Sequence, residues 1–149
     1  MKSSINEISD ESLQALNKHY DIANSLHLLS SRESEKSFSN LILSISKNDF
    51  HKVVEAIAPS YMLYCVFYSL LYVVIEGYQE LKLQDAKVNQ LLEKKHHVEA
   101  LRRLRNSTFH YQNEPFPEKS IVFLENKNSE HWVHDLHEAL GDLLQRLSR

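Results

Sequence analysis

Apolar residues recur along this chain at helical spacing far more often than at alternate positions. Leu13, Leu16, Tyr20, Ala23 and His27 step by three and four, which places them on one face of a helix that Ser9 or Asp10 can cap. Phe38, Leu41, Ile42 and Ile45 predict a second, weaker helix. Asp49 can cap a short one carrying Val53, Val54 and Ile57, after which Pro59 kinks or restarts the chain. The strongest apolar run follows at residues 61–75, "YMLYCVFYSLLYVVI". Tyr61, Tyr64, Tyr68 and Tyr72 form one stripe along it, while Leu63, Phe67, Leu70, Leu71 and Val74 cover its other faces. A helix apolar on every side belongs at the centre of a bundle or inside an oligomer. The tyrosine stripe is therefore the expected interface of a homodimer, because tyrosine buries wide apolar area while its hydroxyl finds a polar mate.

Residues 85 to 111 read as a further helical segment with a candidate break near Lys94, and "EPFPEKSIVFLENKN" reads as a loop in which "SIVFL" can form a short strand. Ser129 is the expected cap of the last helix, where Trp132, Leu136, Leu140, Leu143 and Leu147 make a seam. The pattern predicts an all-α fold: one domain over residues 1–149, an up-and-down bundle of about five or six helices with a loop or short strand near residues 113–127.

Composition narrows the function classes. Two glycines and three prolines are too few for a turn-rich β fold or a glycine-rich phosphate loop. A net charge of −3 excludes a bulk polycation, so any nucleic-acid contact must come from a local basic patch. The lone Cys65 lies in the apolar run, which leaves no disulfide framework and no zinc ribbon; a buried thiol in a reducing cytosol is the simplest reading. The opening "MKSSINEISDES" is polar and acidic, unlike a secretory signal. The apolar run falls short of the roughly 20 residues of a membrane span and holds four tyrosines, so no membrane contact is expected and the location is expected to be cytoplasmic. His131, His134 and His137 recur every three residues, a series that drifts around a helix, so neither a metal site nor a cofactor is expected.

The chemistry concentrates in "LRRLRNSTFHYQNEPFP", residues 101–117. On an ideal helix Val98, Leu101, Leu104, Thr108 and Phe109 share one arc, and Glu99, Arg103, Asn106 and His110 share the opposite one. Arg105 falls on the apolar side, where a guanidinium is costly unless it meets a carboxylate, a phosphate or a wet cleft. Asn106 and His110 stand at i and i+4, so one turn presents a cation, an amide and an imidazole that can titrate near neutrality. Lys94, Lys95, Arg102 and Arg103 precede the motif as an RNA-backbone patch would require. Glu76 ends the tyrosine helix and can reach Arg105 as a supporting acid.

The stretch "RNSTFH", Arg105 to His110, resembles the signature of the HEPN superfamily: an arginine, usually a polar residue after it, four to six intervening positions, then a histidine. The resemblance implies a small helical bundle with the motif on a late helix, and for many members a metal-independent ribonuclease acting as a symmetric dimer whose two motifs line one cleft. It implies a catalytic role for Arg105, Asn106 and His110: His110 as general acid or base on the ribose 2′-hydroxyl or the leaving 5′-oxygen, Arg105 as phosphate clamp, Asn106 as orienting amide. RNA and a homodimeric copy are the implied partners, with a cognate antitoxin or nucleotidyltransferase if the chain is a toxin or defence effector. Some HEPN toxins carry a modified tyrosine two positions after the histidine; here Gln112 stands there and Tyr111 directly follows His110. The alternative is a non-catalytic HEPN-like module that dimerises and binds a nucleotide or a protein.

Overall fold

A computed structural model describes residues 8–46, 50–114 and 117–149, without the side chains of residues 33–55 and 57. Among these residues the chain forms α1 (Asp10–Ser46), α2 (Phe50–Glu80), α3 (Ala86–Leu92), α4 (Lys95–Phe109), α5 (Glu118–Glu125) and α6 (Lys127–Leu147), and no strand. The all-helical expectation therefore holds. α1 lies along α2, α2 packs on α4, α4 on α5, and α6 closes the bundle against α3 and α5.

Four local expectations need correction. α1 is one helix where two were expected, and Pro59, expected to kink or restart the chain, lies inside a continuous α2 with no restart. A mid-helix proline removes one ladder hydrogen bond, and the long packing of α1 on α2 offsets that cost. The expected cap Asp49 lies outside the described residues. The stretch read as a loop or short strand becomes α5: Ser120 and Phe123 are buried at i and i+3 while Val122 stays 58% exposed, a helical burial pattern rather than an alternating one. Asn126, not Ser129, caps α6; its side chain accepts from the N–H groups of Asn128 and Ser129. Ser129 is instead buried beside His97, at 3.3 Å from Nδ1.

The expected break near Lys94 is present. Asp85 caps α3 by accepting from Val88 N–H at 2.9 Å, and Arg146 from the last turn of α6 pairs with the same carboxylate. Those bonds hold the Asp85 carboxyl below the usual carboxylate range. In the turn after α2, Lys82 has a left-handed φ of 53°, and Leu83 N–H is bonded to Tyr78 O at 3.1 Å. The Tyr78 hydroxyl accepts from Asp85 N–H and donates to Asn89, pinning the α2–α3 turn.

The core is built where α2, α4 and α6 meet. Leu71, Val74, Leu101, Leu104 and Leu136 are each 0% exposed, and Trp132 is 2% exposed. Trp132 donates its indole N–H to Leu91 O at 2.9 Å and stacks on His97 at 5.2 Å. Residues 58 to 80 are long and apolar enough to cross a membrane. In the bundle that segment buries Phe67, Tyr68, Leu71, Val74, Ile75 and Tyr78, as a core helix does. Tyr68 corrects the expected dimer stripe: it is 7% exposed and meets Phe123 edge-on at 5.3 Å, so it is committed inside the protomer. Burial pushes its hydroxyl pKa up. Tyr61, Tyr64 and Tyr72 are half-buried.

α1 docks through two notches. Leu16 lies against Gly77 of α2, where an added Cβ would sit 2.6 Å from Cδ1, and Tyr20 lies against Gly141 of α6, donating its hydroxyl to His137 O at 2.9 Å. Tyr20 also stacks on the His137 ring, which meets His27 and Phe67 at 5.3 and 5.4 Å. Burial lowers the His137 pKa to about 4, helped by His27 and His134; burial and then His134 lower that of His27. His137 Nε2 is buried with no hydrogen-bond partner among the described residues. The folded chain thus binds these protons less readily than the unfolded chain, whose histidines titrate near 6.5. Stability should be complete above that value and fall as pH drops towards about 4, by about 2 kcal/mol for His137 after discounting its partial exposure. Urea unfolding at neutral and acid pH measures this, and His137→Phe should flatten the dependence.

Candidate functional site

The roll of α4 decides what its polar residues can do. Leu101, Leu104 and Ser107 are buried and fix that roll. Asn106 and His110 consequently face outwards on the arc of Arg103. Phe109, placed on the apolar arc by spacing, is 56% exposed because the helix ends there. His110 is the C-cap, with extended backbone at φ −109° and ψ 147°; its N–H donates to Asn106 O at 3.1 Å and its carbonyl accepts from the Gln112 amide at 3.2 Å. The side chains of Arg102, Arg103, Asn106, Ser107, His110, Gln112 and Lys119 surround a cleft of about 430 Å³.

Charge in this cleft is uneven. Arg102 holds Glu99 with two hydrogen bonds at 2.7 and 2.8 Å, and Arg103 reaches the same carboxylate at 3.2 Å. These contacts hold the Glu99 carboxyl pKa at about 2, so both arginines share a carboxylate that lies outside the cleft. Lys119, from the first turn of α5, has no ion pair among the described residues. A phosphate entering the cleft would meet Lys119 and the shared arginine pair.

Arg105 lies elsewhere. Its guanidinium points into the seam between α4 and α2, donating from Nη2 to Glu76 at 2.7 Å and lying 5.1 Å from the centre of the Tyr72 ring. Nε is buried without a hydrogen-bond partner among the described residues, a cost that the ion pair and the aromatic face offset. Burial raises the Tyr72 pKa, and Glu76 raises it further against the opposing arginines. The carboxylate demanded by an arginine on the apolar arc is therefore Glu76.

The structure brings Asn106, His110, Arg102 and Arg103 together and leaves the other candidate residues apart. Arg105 and Glu76 form their own pair, outside the residues surrounding the cleft. Lys94 and Lys95 stand at the start of α4, about 22 Å along the helix from His110 at 1.5 Å per residue. Tyr111 is 90% exposed and does not line the cleft. Lys119 was missed, since nothing in local spacing links α5 to the end of α4. The small hydroxyls Ser107 and Ser120, bonded to each other at 2.8 Å, were missed too. They help to line a smaller pocket of about 200 Å³ on the other side of His110.

The histidines of α6 do not converge. His134, Asp135 and Glu138 lie near one another, all exposed, while His137 turns into the α1 junction. No protein-family model, curated protein or solved structure matches this chain.

Proposed function

We propose that this chain is an endoribonuclease of HEPN type, with His110 and Asn106 acting on RNA held in the cleft by Arg103 and Lys119. The observation that carries this reading is that His110 and Asn106 share one open cleft with three cationic side chains. In this reaction the imidazole of His110 takes the 2′-hydroxyl proton, and the 2′-oxygen attacks the adjacent phosphorus. The bond to the 5′-oxygen breaks, leaving a 2′,3′-cyclic phosphate and, once protonated, a 5′-hydroxyl. Asn106 orients the phosphate, and the cations stabilise its transition-state charge. None of the residues surrounding the cleft is a carboxylate, and one histidine alone does not make a site for a divalent ion, which supports a metal-independent reaction.

Arg105 and His110 leave α4 on different faces, so a single protomer does not assemble the whole motif. A homodimer that brings a second copy of the motif to the cleft would complete it. A toxin or defence role, with an antitoxin or nucleotidyltransferase as partner, belongs to the same proposal. Purified protein should cut single-stranded RNA in EDTA and yield cyclic-phosphate ends; RNA left intact by folded protein would overturn the assignment. The engaged state of Arg105, paired with Glu76 and lying over Tyr72, favours the second reading, a non-catalytic dimerisation module that binds a nucleotide or a protein.

A further inference from the structure

We propose that the small pocket behind His110 is a nucleobase subsite that selects bases carrying an exocyclic amino group and disfavours uracil. The choice of ligand class rests on the RNA-binding reading above. His110, Gln112 and Ser107 border both the cationic cleft and this pocket. The consecutive residues Lys119 and Ser120 likewise divide between them, the lysine lining the cleft and the serine the pocket. A nucleotide with its phosphate against Lys119 and Arg103 would lay its base past His110 into the second space. At about 200 Å³ that space is less than half the size of the cleft, suited to one heterocycle rather than a stack.

Its walls supply what a base needs. The Tyr61 ring and the Met62 side chain, the latter 49% exposed, line it with apolar and aromatic surface. Most of its polar groups accept, although the Tyr61 hydroxyl, the Cys65 thiol and the His110 ring border it as well. Ser107 donates its hydroxyl proton to Leu104 O at 2.9 Å, and Thr108 donates to the same carbonyl at 2.9 Å. With the Ser107 proton used, Ser120 is the donor in their 2.8 Å contact. One of the two Gln112 amide N–H groups is directed to His110 O, and its Oε1 is an acceptor. Glu114, exposed at the rim, adds a carboxylate that only accepts. The pocket therefore offers more oxygen lone pairs than donors. Adenine, cytosine and guanine each bring an amino group to such a lining, whereas uracil presents carbonyl oxygens in its place.

Nucleoside 5′-monophosphates test this without any cleavage, because they contain no internucleotide bond. Calorimetric titration of the wild type should give CMP, AMP and GMP affinities about fivefold or more tighter than UMP, the low end of the discrimination from one such base contact. The CMP/UMP ratio is the cleanest readout, because the two bases share one ring size. Glu114→Lys, at an exposed position, adds a donor and should shift that ratio towards UMP. Ser120→Ala, checked for an unchanged melt, should lower it as well. Equal affinities for CMP and UMP in the wild type, or a ratio unmoved by both substitutions, would overturn the subsite. Base preference without RNA cleavage supports the subsite and defeats the ribonuclease reading; cleavage with no base preference does the reverse.

Discussion

Replacing His110 by alanine is expected to reduce RNA cleavage by at least about a hundredfold while leaving the melting temperature close to that of the wild type. The separation of the two effects is what makes the experiment decisive. His110 is exposed and makes its helix-capping bond through backbone N–H, which alanine retains. Loss of activity therefore cannot be put down to loss of fold. Arg105→Ala is a less clean companion, because it removes an ion pair, an aromatic contact and part of the α2–α4 seam together. Rates measured per folded molecule, beside a thermal melt, separate its two consequences. Arg103→Ala and Lys119→Ala should weaken RNA binding at all sequences, each lowering the salt dependence by about one charge. Cleavage that survives in His110→Ala would remove the active site from this cleft.

The largest effect on stability is expected at the opposite end of α4. Trp132→Ala should cost about 3 to 5 kcal/mol, the range for deleting a large buried aromatic. Trp132 is 2% exposed, stacks on His97 and holds the last turn of α3 through Leu91 O, so the cavity would open where α3, α4 and α6 meet. Trp132→Phe restores much of the volume but leaves the Leu91 carbonyl without its donor. It should cost less, about 1 to 3 kcal/mol from the lost bond. Urea midpoints of the two variants measure the difference. Equal midpoints for the two would mean that the restored volume contributes nothing, whereas a Trp132→Phe midpoint equal to the wild type's would mean that the indole bond contributes nothing.

Helical periodicity made the bundle legible, and most of the α6 seam was read correctly because Trp132, Leu136, Leu140 and Leu143 step by three and four without interruption; Leu147, expected to continue it, is 40% exposed at the helix end. Residues 118–125 were not, because a short apolar run looks alike in a strand and in a helix; only its burial distinguished them. Arg105 could be seen to point inwards from spacing alone, and Glu76 was a candidate partner, but the aromatic face of Tyr72 depends on how α2 and α4 are rolled together. Tyr68 belonged to an evident stripe, yet α5 covers it, and α5 had been read as a loop. Lys119, Ser107 and Ser120 left no sequence signal: the first gains meaning from where α5 starts, and the hydroxyls from a pocket that exists only after folding.

The two glycines have a further bearing on how this protein can be engineered. A designer seeking stability would replace helical glycines with alanine first, for a gain of about 1 kcal/mol each in helix propensity. At Gly77 the obstruction is the tip of a leucine, which can swing to another rotamer and surrender the space. At Gly141 it is the Tyr20 hydroxyl, tethered to a backbone carbonyl on the same helix it crosses. The same substitution thus has opposite prospects at the chain's two glycines. Libraries meant to harden the scaffold should vary the first and leave the second fixed.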